Sequence, residues 1–491
     1  MEEQEDEQPS VTLFGNRIFL ARQRKAISMY RRYAKKYRYD ENASYPLFLE
    51  DNRVIGSLLG VRNVVSGAAL EKVSMDRGIV IGTMRMGYRH YRIAMAIASA
   101  ANSMGLVPYW FDLSAFKTPG ARLIARTERL YNVGSRLSQR SKLFDKVIWN
   151  LLTGKVYKRI EKNYPLMYSC WLLTDIYKDL PPDIPFVGTH PWPAMAAVHA
   201  QMKNVINAIP DNCPLGFHLA PGALHTVQSP SAYLGFRTLK DMGDSGETSK
   251  GVPASEITLV GHYVDHELVA NVEVDCQARL TRIQTKEARR LLISVGGAGA
   301  QQRLFVDLVR DLMPAIQDGQ VVLFINFGGH RKVWNFLKRK VDEFEAAAEH
   351  HTDWAKTVQF AQSAITENVT GLHTFLNDDA FAAVYTTNLL MRSSDILIAK
   401  PSELAYYPIP TLFLRRVGGH EAWGAIRGSE LGYGTFECRS APHTLQCLDM
   451  LLQEDDLLTM YCEQIVKLKK MGVYDGAYRV VELAMERKTQ V

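Results

Sequence analysis

The residues best placed to do chemistry lie between Asp395 and Thr435. Lys400, Ser402 and Glu403 follow one short apolar run, and Gly419, His420 and Glu421 follow the next. A carboxylate at such a position can accept two sugar hydroxyls, a lysine can offset phosphate charge, and free helix N–H groups can hold an anion. Upstream, the run Arg290–Ala300 puts Gly296, Gly297 and Gly299 directly after Leu-Leu-Ile-Ser-Val. Glycines there let backbone N–H groups approach a phosphate. The Gly-Lys-Ser/Thr ending of an ATP-binding loop is missing, which argues against ATP hydrolysis. In the first half of the chain, His90 stands at a predicted helix start and His190 at a predicted strand end. Imidazole titrates near neutral pH, and a helix N-terminus disfavours its charged form. A histidine merely packed in place would look the same. Arg85, Arg89 and Arg92 could hold an anionic acceptor or a departing phosphate, or could simply be solvated.

Two similar sets of elements must position these groups. The first is a strand at Gly78–Ile81, a turn bracketed by Gly82 and Gly87, a helix from His90 and a second strand ending at Asp112. Ala94, Ala96, Ala98, Ala100 and Ala101 would let that helix pack closely on a sheet. The Gly-x-Gly-x-x-Gly of a dinucleotide fold is absent. A buried strand is expected to end at Thr189-His190-Pro191, with another around Leu215–Leu219 carrying His218. The second set is the strand before Gly296, a helix from Gln301, a strand at Val321–Phe327 ending in Gly328-Gly329, and strands at Ile396–Ala399 and Thr411–Leu414. Ser402 is expected to cap a helix whose first turn holds Glu403. A further helix should end near Gly432. Ligands of open α/β sheets bind at the carboxyl ends of strands, which is where all these residues fall.

The Lys400-Pro401-Ser402-Glu403 stretch, with Ala405, Pro410, Gly419, Glu421, Ala425, Gly432 and Gly434, resembles the nucleotide-sugar half of two-domain glycosyltransferases of the MurG and monogalactosyldiacylglycerol synthase type. His90, Ala94, Ala96 and Ile97 after a glycine loop, and Thr189-His190-Pro191, resemble its first half. The loop before Ser402 is shorter than in that family, and Gly424 stands where the family often has Asn. The resemblance implies the GT-B fold, an α/β architecture of two Rossmann-like domains facing each other across a cleft. It implies an inverting hexosyltransferase that needs no metal and no cofactor. A nucleotide diphosphate sugar, expected to be UDP-linked, would be the co-substrate, and a hydroxyl compound the acceptor, with a membrane lipid as one candidate. His90 would be the base, with His190 a second candidate. Gly296, Gly297, Gly299, Lys400, Ser402, Glu403, Gly419, His420 and Glu421 would bind the donor, and Gly87 and Arg89 would face the acceptor. Two alternatives share the fold: a non-catalytic binding or assembly protein, and a nucleotide-sugar epimerase, which would need further carboxylates in the cleft.

Bulk properties set the frame. A chain of 491 residues can form two or three full cores. A net charge of +6 suits a phosphate ligand or an anionic membrane surface and is too weak to argue nucleic acid. The six cysteines show no Cys-x-x-Cys pair and no zinc spacing, so they read as the reduced thiols of a cytoplasmic protein. No apolar run approaches the roughly 20 residues of a membrane span. A membrane contact would therefore be peripheral, for example through the basic helix expected over 17–38. The expected organisation is an N-terminal arm (1–75), an acceptor-side domain (76–250), a linker (251–289), a nucleotide-sugar domain (290–455) and C-terminal helices (456–491).

Overall fold

The computed structural model describes residues 11–67, 71–73, 76–140, 159–240, 250–296, 299 and 301–489. Residues 1–10, 141–158 and 241–249 and, among the glycines expected to bind the donor, Gly297 lie outside the described residues.

A hairpin of β1 (Thr12–Leu13) and β2 (Asn16–Arg17) precedes the basic helix Leu20–Tyr37, which packs on the helix Ile160–Ser169. The first large sheet contains β3 (Leu47–Asp51), β4 (Arg62–Ser66), β5 (Glu71–Lys72), β6 (Gly78–Thr83), β7 (Val107–Asp112), β8 (Phe186–Gly188), β9 (Val205–Ala208), β10 (Leu224–Val227) and β11 (Ile257–Leu259). Its order is β11-β10-β9-β8-β6-β7-β4-β3-β5, parallel from β11 to β4, with β3 and β5 antiparallel at the edge. The second sheet contains β12 (Arg289–Ser294), β13 (Val321–Gly328), β14 (Ala348–His351), β15 (Leu372–Leu376), β16 (Ile396–Ala399) and β17 (Thr411–Phe413). It is wholly parallel, in the order β14-β15-β13-β12-β16-β17.

Parallel strands covered by helices on both faces are apolar throughout, because neither face meets water. β6 and β12 follow that rule. Val80 enters one core and Ile79 and Ile81 the opposite one. Leu291 and Ile293 likewise face away from Leu292. The alternation is the pleat of a strand read on two buried faces. Two Rossmann-like α/β domains therefore stand as expected. The alanine-rich helix Arg89–Ser103 packs on the first sheet at β6 and β7, beside the last helix, Gly476–Thr489, which packs at β8 and β9 and whose Ala477, Val480, Val481 and Ala484 share its core. The chain thus returns from the second domain to the first. The two crossing segments touch: Tyr263 and Asp475 form a β-bridge, the His262 N–H donates to the Val473 carbonyl (2.7 Å), and the Gly476 N–H donates to the His262 carbonyl (3.0 Å).

Two elements differ from expectation. Leu215–Leu219 is not a strand; Gly216–His218 is a single 3-10 turn, because β9 and β10 pair directly and leave no slot between them. The expected helix at Ser402 is also a 3-10 turn, Glu403–Tyr406, and Ser402 makes no capping bond. Pro408 forces Tyr407 into extended backbone (φ −90°, ψ 151°), which stops a helix there.

Candidate active site in the interdomain cleft

Carboxyl ends of strands from both sheets converge on one polar cluster. On the first wall, β6 ends at Thr83 and the chain turns through Gly87, whose φ of +74° suits glycine, before Arg89 opens its helix. His90 lies in the first turn of that helix, with only 7% of its surface exposed. Its Nδ1 is 2.7 Å from the Thr189 carbonyl oxygen. A carbonyl can only accept, so Nδ1 carries the proton and Nε2 keeps its lone pair. Burial pushes the imidazole down to about 4, and the Arg89 charge adds to the effect. The ring is therefore neutral at physiological pH. His190, at the end of β8, caps the next helix: its Nδ1 accepts the Trp192 N–H at 3.1 Å. Its ring meets that of His90 edge to face at 4.6 Å, and burial holds it well below the ordinary histidine range.

Asp211, in the loop after β9, completes this wall. Its carboxylate accepts from Arg89 Nη1 at 2.5 and 2.6 Å and lies 3.2 Å from His218 Nε2. Burial opposes its charge, yet Arg89 and His218 hold it far below the usual carboxylate range.

The second wall belongs to β12, β16 and β17. Lys400 lies across Gly296, where a Cβ would sit 2.8 Å from the lysine Cε. Lys400 Nζ donates to Glu421 Oε1, and Glu421 Oε2 accepts the Val417 N–H at 2.7 Å. Burial opposes the charge of Glu421, but Lys400 and its neighbours bring it down to about 2. Glu403 is lowered too, against burial, by Lys400, Arg89 and Arg92. The His420 ring folds back over Gly418, and burial lowers it. Gly419 has open space around it, as does Gly87 on the opposite wall. Gly299 turns with φ +61° beside His330.

The walls are joined by charge. Arg89 Nε is 3.6 Å from Glu403, and its Nη2 is 3.6 Å from Glu421. Arg92 Nε is 3.9 Å from Glu403. Arg92 also donates to Asn388, which donates to the buried carboxylate of Asp265. The Gly329 N–H reaches the Tyr88 hydroxyl at 3.2 Å. Arg89, Arg92 and Lys400 thus face Asp211, Glu403 and Glu421, a balanced set of cations and carboxylates. Arg89, expected on the acceptor side alone, touches both carboxylates expected to bind donor. Lys400, Glu403 and Glu421 come together around it, with His90 next to it on its own helix and His190 against His90. Ser402 contributes no cap. Asp211, Asp265 and Asn388 are the cleft residues that sequence reasoning missed. Asp211 shares the signal that found the others: it follows an apolar strand, Val205–Ala208, at its carboxyl end.

Among the described residues, two clusters elsewhere have metal-ligating chemistry: Cys438, His443 and Cys447, and Glu349, His351 and His373. The first corrects the expectation of scattered thiols. His443 and Cys447 are one turn apart on the helix Ala441–Gln453, and the chain entering that helix brings Cys438 beside them. Among the described residues no helix is long and apolar enough to cross a membrane.

Two family models cover most of the chain, a domain of unknown function (DUF6937) over residues 12–238 and another (DUF6938) over residues 252–485. No curated protein matches the sequence. Among solved structures, a UDP-GlcNAc 2-epimerase from Neisseria meningitidis bound to UDP-GlcNAc is similar at 11% identity and a TM-score of 0.44, over 83% of this chain and 100% of that one. A glycosyltransferase from Rickettsia africae aligns at 11% identity and TM-score 0.41, over 84% and 98%. A trehalose-phosphate synthase (UDP-forming) from Burkholderia vietnamiensis aligns at 11% identity and TM-score 0.40, over 84% and 99%. These likenesses are loose, and a functional reading has to come from the cleft's own side chains.

Proposed function

We propose that the cleft binds a nucleotide diphosphate sugar and transfers its sugar, with inversion, to a hydroxyl acceptor. The observation that carries this reading is Arg89 standing between Asp211 on one wall and Glu403 and Glu421 on the other, with a neutral His90 next to it. The acceptor oxygen attacks the anomeric carbon while His90 Nε2 takes its proton. The bond from that carbon to the diphosphate oxygen breaks, and the electron pair leaves with the nucleotide diphosphate. Lys400, Arg89 and the backbone at Gly296 meet the developing charge. Within the cleft the carboxylates pair with those cations. Donor binding exchanges the contacts, leaving Glu403 to accept sugar hydroxyls. The cation set suits a diphosphate, and a UDP-linked donor and a lipid acceptor are the finer parts of the proposal.

Calorimetric titration with UDP and UDP-sugars tests it, with Glu403→Ala as the control. Micromolar binding that the variant loses supports the donor site. Absence of binding to any nucleotide diphosphate refutes the transferase reading and leaves a binding or assembly role. A second reading, nucleotide-sugar epimerisation, is favoured by the Asp211–His218 pair, which supplies a carboxylate and an imidazole for proton transfer at a sugar carbon. Solvent deuterium appearing in a UDP-sugar incubated without acceptor would select it.

A further inference from the structure

A metal-ligand set lies outside the cleft, on the neighbouring strands β14 and β15. Glu349 and His351 are two residues apart on β14 and so point to one face of the sheet. His373 on β15 is the registered partner of Glu349 and joins them. His351 Nε2 is 3.2 Å from His373 Nδ1. Glu349 Oε1 is 3.6 Å from His351 Nε2, and Oε2 is 3.5 Å from His373 Nδ1. Around a tetrahedral ion with bonds of about 2.0–2.1 Å, ligand atoms are separated by about 3.3–3.4 Å. The three side chains already stand near that spacing.

The rings are aimed and held. His373 Nε2 lies 3.0 Å from the Thr370 carbonyl oxygen, so that nitrogen carries the proton and Nδ1 offers its lone pair. A backbone carbonyl fixing the far nitrogen is the usual outer support of a metal-bound histidine. His351 stacks on Phe375 with centroids 4.6 Å apart, and Phe360 packs against both imidazoles. Both histidine side chains are 7% exposed, whereas Glu349 is 65% exposed and leaves a route from solvent. Among the described residues, the ion-pair partners of Glu349 are these two imidazoles.

We propose that Glu349, His351 and His373 bind a divalent transition-metal ion of the zinc type, pinning the edge strand β14 to β15. Nitrogen and carboxylate ligands suit zinc and its first-row neighbours. Three protein ligands leave the fourth position to solvent. This site is independent of the cleft's function.

The test is titration of the full chain, stripped by chelator, with Zn2+ and with Co2+ as a spectroscopic probe. One equivalent should bind at micromolar metal, and the Co2+ form should show tetrahedral visible bands without thiolate charge transfer. Glu349→Gln, at an exposed position, should weaken binding by more than the roughly 10–100-fold that loss of an outer hydrogen-bond partner costs. Cys447→Ser should leave the bands unchanged, which separates this site from the Cys438 cluster. The proposal is overturned by no uptake, by affinity that ignores Glu349→Gln, or by a thiolate band that Cys447→Ser abolishes. His373→Gln provides a second variant, its fold checked by circular dichroism.

Discussion

Replacing Arg89 by Met isolates the cleft's electrostatics. The guanidinium donates twice to Asp211 and lies 3.6 Å from both Glu403 and Glu421. The Asp211 side chain is 11% exposed, and without Arg89 its charge keeps, among the described residues, His218 as a close partner and His420 nearby. Removing one member of a buried pair costs about 3–5 kcal/mol, chiefly because the other charge stays buried. The pH dependence gives the sharper test. In the native protein the Asp211 pKa is depressed, so its contribution to stability is present above the unfolded carboxylate value and is lost only as pH falls through the low folded value. In Arg89→Met, burial is opposed by His218 and His420 alone, and the folded pKa rises. The variant is then most destabilised at neutral pH, and the deficit shrinks as pH falls and Asp211 takes up a proton. Urea unfolding of both proteins at neutral and mildly acidic pH measures the deficit. Arg89→Met combined with Asp211→Asn should recover a large part of it. A deficit below about 1 kcal/mol, the scale of an exposed pair, with no pH trend and no recovery, would refute the view that Arg89 neutralises a buried carboxylate.

Further predictions concern activity and binding. His90→Gln should lower kcat by about 10²–10⁴ while leaving KM close to native, the range of a lost general base; steady-state kinetics with an active acceptor checks it. Because burial holds His90 down at about 4, native activity should persist through mildly acidic pH and fall only as pH approaches that value. A limb near the ordinary histidine value would exclude His90 as the base. Gly296→Ala puts a Cβ 2.8 Å from Lys400 Cε, at the flexible part of a side chain. It should weaken UDP binding in calorimetry with little change in thermal stability. Gly424→Asn should destabilise the second domain, because a Cβ there meets the Pro401 carbonyl oxygen at 2.4 Å and backbone cannot give way as a side chain can; a thermal melt equal to native would count against this packing.

Gly424 also shows where sequence reading reached its limit. The short link from Lys400-Pro401 to Ser402-Glu403 and the glycine at 424 stood out as two separate departures from the resembling family. In the structure they are one feature, since the Pro401 carbonyl rests where a side chain at 424 would be. The strands around β6, β12 and β16 were legible because both faces of each are buried, which leaves unbroken apolar runs. The polar positions at their carboxyl ends followed from that. Asp211 was not legible as a partner of Arg89, because 122 residues separate them and only the sheet order brings β9 near the Arg89 helix. His373 and Glu349 were hidden for the same reason: the spacing along one strand is local, but the pairing of β14 with β15 is not. The turn at Glu403–Tyr406 departed from the helix expectation because Pro408 outweighs a favourable start.

The double crossing between the domains has a mechanical consequence. The segment around Gly261–Tyr263 and the one around Val473–Gly476 are tied by backbone hydrogen bonds into a two-stranded hinge, with Gly261 so close that a Cβ would lie 2.7 Å from the Val473 carbonyl oxygen. A single tether would let the domains swivel in any direction. Paired tethers favour rotation about one axis, as a door moves on its frame. Rotation about that axis would have to part Arg89 and Arg92 from their acidic partners on the far wall, and Tyr91 and Trp110 from Phe381, so the packed interface holds the angle that the paired tethers allow.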